Sequence, residues 1–201
     1  TNHSLLSTAT PGSMSSEGMG GHMMEPIGGE HVEQASESIG GQPLSFTEQN
    51  GVKVFELTTK AVLWTLTNDV AVTALTYNGT VPGPEIRVTE GDQVRVVVKN
   101  ALDEPTTVHF HGVELPNAMD GVPDVTQEAI QPGETFTYEF EAKPAGTFWY
   151  HSHFESDVQV SAGLYAPFIV EPKGGTDSPD IDLTLMLGEW LVRDGKTYAP
   201  M

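Results

Sequence analysis

Short runs of alternating residues, broken by turn residues, dominate the chain from Pro43 to Pro172. Runs such as VAVTALTY, ETFTYEFEA and GTFWYHSH favour β-branched and aromatic residues at a period of two, and NGTVPGP, TEGD and QPGE lie between such runs. A period of two is typical of a β-strand with one buried face, and Gly, Pro, Asn and Asp are common in tight turns. No long helical period with caps at both ends occurs between these limits. The pattern therefore predicts an all-β domain, a Greek-key β-sandwich or barrel.

Composition divides the chain into three parts. Residues 1–42 are rich in Gly, Ser, Glu and Met, so they cannot bury enough apolar surface to offset the entropy of ordering, and we predict a flexible N-terminal arm. Residues 43–173 form the predicted β-domain. Residues 174–201 begin as a linker and continue into the apolar run DLTLMLGEWLV at 182–192, which predicts one more strand. We expect this strand to lead into a following domain or to return and pair with the first.

Charge and cysteine content exclude several classes of function. Nine Lys and Arg stand against 28 Asp and Glu, a formal net charge of -19, and such a surface repels nucleic acid and anionic membranes. No apolar run approaches the roughly 20 residues that a membrane span needs. We therefore expect neither a nucleic-acid partner nor a membrane span. The absence of cysteine excludes disulfides, thiolate metal sites and a cysteine nucleophile within these 201 residues.

Two HxH pairs, in HFHG at 109–112 and YHSH at 150–153, hold four of the seven histidines. Because side chains alternate along a strand, His109 and His111 are expected on one face, and so are His151 and His153. Imidazoles bind a metal at roughly 2.0–2.1 Å, so four rings converging from neighbouring strands can surround one ion or serve several. The spacing alone does not choose between these arrangements.

The flanking residues favour a site over an accident of the surface. Gly112 leaves room for the close approach of another chain or ion. The aromatic rings of Trp149 and Tyr150 are expected to line one side of the second pair. One such pair is commonly a surface feature or a satisfied core histidine, but two pairs in a histidine-poor chain indicate metal binding. The arm also holds GGHMME at 20–25, whose imidazole and thioether groups suit soft copper ions. A tail without metal function explains that segment as well.

A family resemblance is carried by four segments in order along the chain. YNGTVPGPEIRVTEGDQVRVVVKN, TTVHFHGVELPNAMDGVP, QPGETFTYEFEAKPAGTFWYHSH and GLYAPFIVEP, from about Thr73 to Pro172, resemble the first cupredoxin domain of multicopper oxidases, which include laccases. The resemblance implies a cupredoxin-like fold and oxidation of a small reductant, a phenol or a metal ion, coupled to four-electron reduction of dioxygen to water. Since these oxidases are usually exported, it also implies an extracellular or periplasmic location.

The same resemblance implies a role for each histidine of the two pairs. In the family the pairs supply half the ligands of a trinuclear copper cluster, with His109 in the place of a type 2 copper ligand and His111, His151 and His153 in the places of type 3 ligands. Asp120, in NAMDG, lies where many members carry an acidic residue that helps to deliver protons, and oxygen reduction consumes protons. Without the resemblance, a turn at Asp-Gly explains Asp120 equally well.

The chain departs from the family at the point where electrons enter. The family holds a type 1 copper with a cysteine and passes electrons through a C-terminal HCH segment, whereas this chain has no cysteine. A second cupredoxin domain or chain is therefore expected to bring the type 1 copper and the remaining ligands. The chain is then part of a longer oxidase, a subunit, or a degenerate domain. Since small two-domain relatives place the cluster between the subunits of a trimer, a homotrimer is one arrangement.

Three other functions stay open. A non-enzymatic copper-binding or copper-delivering domain is suggested by the missing cysteine. A mononuclear metal enzyme on a cupin-like barrel also uses an HxH pair, although a second complete pair is superfluous to it. A structural interaction module requires no metal at all.

Overall fold

The computed structural model describes residues 32–67, 70–175, 180–194 and 196–198. Across these ranges the chain is almost entirely strand and loop, with one four-residue α-helix and a 3-10 turn at Asn117–Met119. The elements are β1 Thr47–Gln49, β2 Val52–Thr67, β3 Val70–Tyr77, β4 Ile86–Thr89, β5 Gln93–Asn100, β6 His109–His111, β7 Thr135–Glu141, β8 Gly146–His151, α1 Ser156–Gln159, β9 Tyr165–Glu171, β10 Leu191–Arg193 and β11 Lys196–Tyr198. The prediction of an all-β domain is confirmed.

Two sheets make up the domain. In the first, the long β2 pairs through its first half with β1 and, in parallel, with β5, and through its second half with β3; β7 extends the sheet beyond β5. The second has the order β4, β9, β8, β6. Here β4 and β9 are parallel and the other two pairs are antiparallel. The short β6 is therefore an edge strand that depends on β8 for its position.

The core lies between the sheets and follows from the period of two. Along β5, Val94, Val96 and Val98 are buried while the residues between them are more exposed. The ring of Phe110 in β6 reaches the first sheet, with its centroid 5.5 Å from that of Tyr138 and 4.9 Å from that of Phe140. Burying a side chain of this size contributes about 1.5–3 kcal/mol. Because Phe110 is fixed in the core, its two neighbours in β6 must face away from it.

Two predicted strands are shorter than expected. The run TTVHFHGVEL at 106–115 forms a strand only over His109–His111, and the prediction of a strand over 182–192 is wrong for residues 182–190. A period of two favours extended backbone, but a strand also needs a neighbour. Residues 182–190 have no ladder partner within the described part of the chain. The last described residues form a separate hairpin of β10 and β11.

Side-chain contacts hold the segment 182–190 against the second sheet instead. Arg87 of β4 pairs with Asp182 at 2.9 Å, and the hydroxyl of Thr184 donates to the Glu85 carboxylate at 2.7 Å. Leu183, Leu185 and Leu187 face solvent, and Leu187 is 94% exposed. Met186 and Trp190 are partly buried against the core. The prediction that this segment leads into a following cupredoxin domain stays a prediction.

The predicted arm falls mostly outside the described residues. Residues 1–31, which include the GGHMME segment, are among those that the structure does not describe. Further along, Leu63 donates its backbone N–H to the Glu33 carbonyl at 2.8 Å and accepts from the backbone N–H of Ala35 at 3.1 Å. This part of the arm therefore lies along β2. In the described ranges no helix has the length and apolar character needed to cross a membrane.

Candidate metal centre

The two histidine pairs meet because β6 and β8 are neighbours in the second sheet. Their antiparallel register places His109 opposite His151 and His111 opposite Trp149. Residues opposite each other in a ladder project from the same face with about 4.5–5.5 Å between their Cβ atoms, and the ring centroids of His109 and His151 are 5.3 Å apart. Strand pairing thus brings together histidines that are distant in sequence.

Three of the predicted ligands form a compact group. Possible ligand atoms of His109, His111 and His151 all lie within 4.8 Å of one another. His109 Nδ1 lies 2.6 Å from the Asp120 carbonyl oxygen, and His151 Nδ1 lies 2.8 Å from that of Ser152. Because a carbonyl only accepts, each Nδ1 carries the proton and each Nε2 keeps a free lone pair. Both rings are therefore set to bind a metal through Nε2.

The ring of His111 is turned differently. Its Nδ1 lies 3.4 Å from Nε2 of His151, so the nitrogen that faces the group is Nδ1. His111 is also exposed, unlike the buried His151. The cluster is thus closed on the side of β8 and open on the side of His111.

Burial keeps the imidazole of His151 neutral. The side chain is 7% exposed, and this burial, supported by the neighbouring histidines, lowers the pKa of His151 to about 4. The hydrogen bond to the Ser152 carbonyl opposes the shift. A desolvated imidazole is disfavoured in its charged form, so the imidazole of His151 is neutral at pH 7.

His153 lies near this group, but it follows the end of β8 and belongs to the loop before α1. The ladder of β8 ends at His151, so the prediction that both members of the second pair lie in a strand is wrong for His153. Its ring centroid is 5.4 Å from that of His109 and 6.2 Å from that of His151. The structure therefore brings all four predicted histidines to one place, with His153 beyond the compact group of three.

Asp120 reaches the site mainly through its backbone. Its carbonyl is the acceptor for His109, while its carboxylate Oδ1 lies 3.4 Å from the same ring nitrogen. The next residue, Gly121, has a φ of +78°, and an added Cβ would lie 1.9 Å from the Val108 carbonyl oxygen. Only glycine lets this loop pass so close to β6. The role of Asp120 in proton delivery stays a prediction.

One of the two expected aromatic walls is present. The Trp149 ring stacks on His151 with centroids 4.0 Å apart and on His111 at 5.3 Å. The prediction for Tyr150 is wrong: its side chain is buried in the core and its hydroxyl donates to the Pro84 carbonyl at 2.6 Å. Neighbouring strand residues face opposite sides of a sheet, so both rings cannot wall the same site.

The space beside Gly112 is taken by the ring of Phe148 rather than by an ion or another chain. A Cβ at Gly112, where φ is +90°, would lie 2.9 Å from Phe148 Cδ1. The small residue therefore serves the packing of β6 against β8.

Sequence reasoning missed a buried polar group beneath the second pair. Gln159 of α1 is 1% exposed, and its Oε1 accepts hydrogen bonds from the hydroxyls of Ser152 and Thr106. Thr106 lies 53 residues away in sequence. Spacing rules could not have revealed this group, because only folding brings its members together.

Comparison with known proteins agrees with the fold. A family model described as multicopper oxidase matches residues 58–175. Copper resistance protein A homolog of Pseudomonas syringae pv. tomato is 40% identical over 157 residues, which cover 77% of this chain and 25% of that protein. Multicopper oxidase MmcO of Mycobacterium tuberculosis is 41% identical over 126 residues, with 63% and 24% of the two chains covered.

A solved structure shows the same architecture. The crystal structure of a multicopper oxidase from Pseudomonas thermotolerans superimposes with a TM-score of 0.59 and 45% identity, covering 60% of this chain and 30% of that one. The chain thus spans at most about a quarter of the length of the curated relatives just described. The expected cupredoxin-like fold is confirmed. Because the family model covers more than half of the chain and includes both histidine pairs, the chain belongs to the multicopper oxidase family.

Proposed function

We propose that this chain supplies half of a trinuclear copper cluster in an enzyme that oxidises a small reductant and reduces dioxygen to water. The observation that carries the proposal is the group of His109, His111 and His151, whose ligand atoms lie within 4.8 Å of one another. A set of three converging imidazoles suits copper. The residues present therefore fit the metal that family membership implies.

The protein's part is to hold the imidazoles in fixed tautomers. The carbonyls of Asp120 and Ser152 keep the protons of His109 and His151 on Nδ1, so no proton must leave Nε2 before a metal binds. We assign His109 to the type 2 copper and His111, His151 and His153 to the type 3 coppers. When bound, the coppers supply the electrons that reduce dioxygen.

Asp120 is our candidate for proton delivery. Its side chain is 39% exposed and its Oδ1 lies 3.4 Å from His109 Nδ1, so the carboxylate can exchange protons with solvent at the edge of the cluster. Dioxygen reduction consumes protons as well as electrons, which gives a carboxylate at this place a chemical task.

A second domain or chain supplies the remaining cluster ligands and the type 1 copper. The exposed imidazole of His111 marks the side on which a second cupredoxin domain of a longer polypeptide, or a second chain, adds the remaining ligands and the type 1 copper. Since these 201 residues hold no cysteine, a homotrimer supplies that copper only if each protomer carries the second domain. The reductant, phenol-like or a metal ion, gives up its electrons at that type 1 site. We propose an extracellular or periplasmic location.

The test uses the natural full-length product that contains this chain. We expect it to retain copper and to consume dioxygen with a reducing substrate, and we expect His111→Ala to lose most of both. Glu114→Gln, an exposed substitution three residues away, is the matched control and should behave as wild type. Oxidase activity that survives His111→Ala, or a protein that retains only trace copper, contradicts the proposal.

A second candidate is a copper-binding or copper-delivering domain without turnover. The observation in its favour is the absence of cysteine from the chain. It predicts that the isolated chain binds Cu(II) but consumes no dioxygen in the presence of a reductant. Dioxygen consumption by the isolated chain would exclude this candidate.

A further inference from the structure

We infer that Gln159 is a positioning residue that fixes His153 at the metal centre by holding Ser152 between the two histidines of the second pair. The inference rests on the proposed copper function for its purpose. The contacts that carry it lie among the described residues of this chain.

The amide of Gln159 uses all of its hydrogen-bonding capacity. Its Nε2 donates to the Pro105 carbonyl at 2.8 Å and to the Glu104 carboxylate at 2.9 Å. Its Oε1 accepts from the hydroxyls of Thr106 at 2.8 Å and Ser152 at 2.6 Å. Since an amide has two N–H donors and two lone pairs, and the Pro105 carbonyl only accepts, a single orientation satisfies every partner. The group is therefore rigid.

Ser152 transmits that rigidity to the histidines. Its buried hydroxyl donates to Gln159 and accepts the backbone N–H of Phe154 at 3.2 Å, which closes a tight turn around His153. On the other side, the Ser152 carbonyl accepts from His151 Nδ1. One residue thus contacts the backbone that follows His153 and the ring of His151.

His153 needs such support because the sheet no longer provides it. The ladder of β8 ends at His151, so two residues later neither register nor alternation dictates where the side chain points. The ring nevertheless lies 5.4 Å from His109, centroid to centroid. Two contacts of the turn place it there: the Ser152 backbone N–H donates to the Leu164 carbonyl at 3.1 Å, and the Ser152 hydroxyl is held by Gln159.

Stability alone does not explain why a glutamine occupies position 159. Burying an amide costs free energy unless every partner is present, and an apolar side chain of similar size fills a core position at lower cost. A saturated polar network instead specifies one geometry. Residues that orient metal ligands in this way typically affect metal affinity by about 10–100-fold.

The first test needs no metal. In the full 201-residue chain, we expect ring-proton NOEs between His109 and His153, and we expect Gln159→Leu and Ser152→Ala each to abolish them. Thr106→Val is the matched control, because it removes a hydroxyl that donates to the same Oε1 but does not lie between the histidines. It should preserve the NOEs. Ser152→Ala keeps the inference testable if Gln159→Leu fails to fold.

The second test measures Cu(II) affinity by competition and the electron paramagnetic resonance spectrum of the Cu(II) form. We expect Gln159→Leu and Ser152→Ala each to weaken Cu(II) binding by about tenfold, with little further loss in the double variant, because both act through one contact. The spectra should shift towards that of His153→Ala. In a His153→Ala background, Gln159→Leu should have no further effect.

The outcomes separate the two proposals. If Gln159→Leu and Ser152→Ala leave the NOEs intact, or if Gln159→Leu weakens Cu(II) binding equally with and without His153, the positioning role is overturned. If the NOEs respond as expected but the natural full-length product retains only trace copper, the copper function fails while the positioning of His153 stands.

Discussion

The two histidine pairs have the same spacing in sequence but are held by different means. His109 and His111 lie in β6, where alternation around the buried Phe110 aims both rings at one face. The second pair straddles the end of β8, so the ladder places His151 but not His153. An HxH spacing therefore guarantees a common face only while the strand continues.

The supports of the two pairs differ in kind. The first is held from outside by backbone, since the Asp120 carbonyl binds the His109 ring and the loop at Gly121 passes close to Val108. In the second, the Ser152 carbonyl likewise accepts from the His151 ring, but the turn at His153 is held from beneath by the buried side chains of Ser152 and Gln159. Backbone strain at Gly121 should therefore disturb the first pair, and loss of the Ser152 or Gln159 side chain should disturb the second.

Gly121→Ala is expected to cause the largest loss of stability, and to disturb the first pair rather than the second. The new Cβ would lie 1.9 Å from the Val108 carbonyl oxygen, at a φ of +78°. The loop must move, and the hydrogen bond from His109 to Asp120 breaks. We expect the free energy of unfolding, measured in urea, to fall by about 3 kcal/mol or more, combining a left-handed backbone with a steric clash.

Gly133→Ala is the matched control for that substitution. Gly133 has a φ of +83°, but no atom lies within 4 Å of its added Cβ, so only the conformational cost of about 1 kcal/mol remains. Equal losses for the two variants would show that the contact of Gly121 with β6 does not support the first pair.

The sequence predicted correctly those features of the fold and site that depend on strand periodicity. The alternation of His109 and His111 and the all-β fold follow from a period of two, which is local information. The failures in strand length have one cause: strand ends depend on partners. β8 stops at His151 and residues 182–190 have no described ladder partner, which no local pattern encodes. The Gln159 network likewise joins residues that only the folded chain brings together.

The second expected effect is a loss of stability at low pH caused by His151, the buried histidine of the second pair. Burial lowers the pKa of His151 from the ordinary 6.5 to about 4. As the pH falls below 6.5, the unfolded chain binds a proton on this ring before the folded chain does, so the folded state loses stability until the pH reaches about 4. Over this window His151 should account for a loss of about 3 kcal/mol.

Urea unfolding at several pH values between 7 and 4 measures this loss. His151→Phe is the matched variant, because it keeps an aromatic ring beside Trp149 but cannot titrate. The carboxylates titrate in both proteins, so the contribution of His151 is the difference between the two pH profiles. Parallel profiles would mean that His151 is no more difficult to protonate in the folded chain than in the unfolded one.

The smallest expected loss of stability comes from removing one buried hydroxyl, that of Tyr138, which binds the backbone next to His109. Tyr138 and Tyr77 are both fully buried, but the Tyr138 hydroxyl accepts the Val108 N–H at 2.9 Å, whereas the Tyr77 hydroxyl has no hydrogen-bond partner among the described residues. Tyr138→Phe should therefore leave a buried N–H unsatisfied next to His109 and cost about 1–3 kcal/mol.

Tyr77→Phe removes an equally buried hydroxyl that satisfies nothing, so it should be neutral or slightly stabilising in urea unfolding. The difference between these variants isolates the hydrogen bond from the loss of a buried oxygen. Because Val108 precedes His109, Tyr138→Phe should also shift the ring resonances of His109 and leave those of His153 in place. If His153 shifts as much as His109, the two pairs share one support, and the separation of their supports at the end of β8 is wrong.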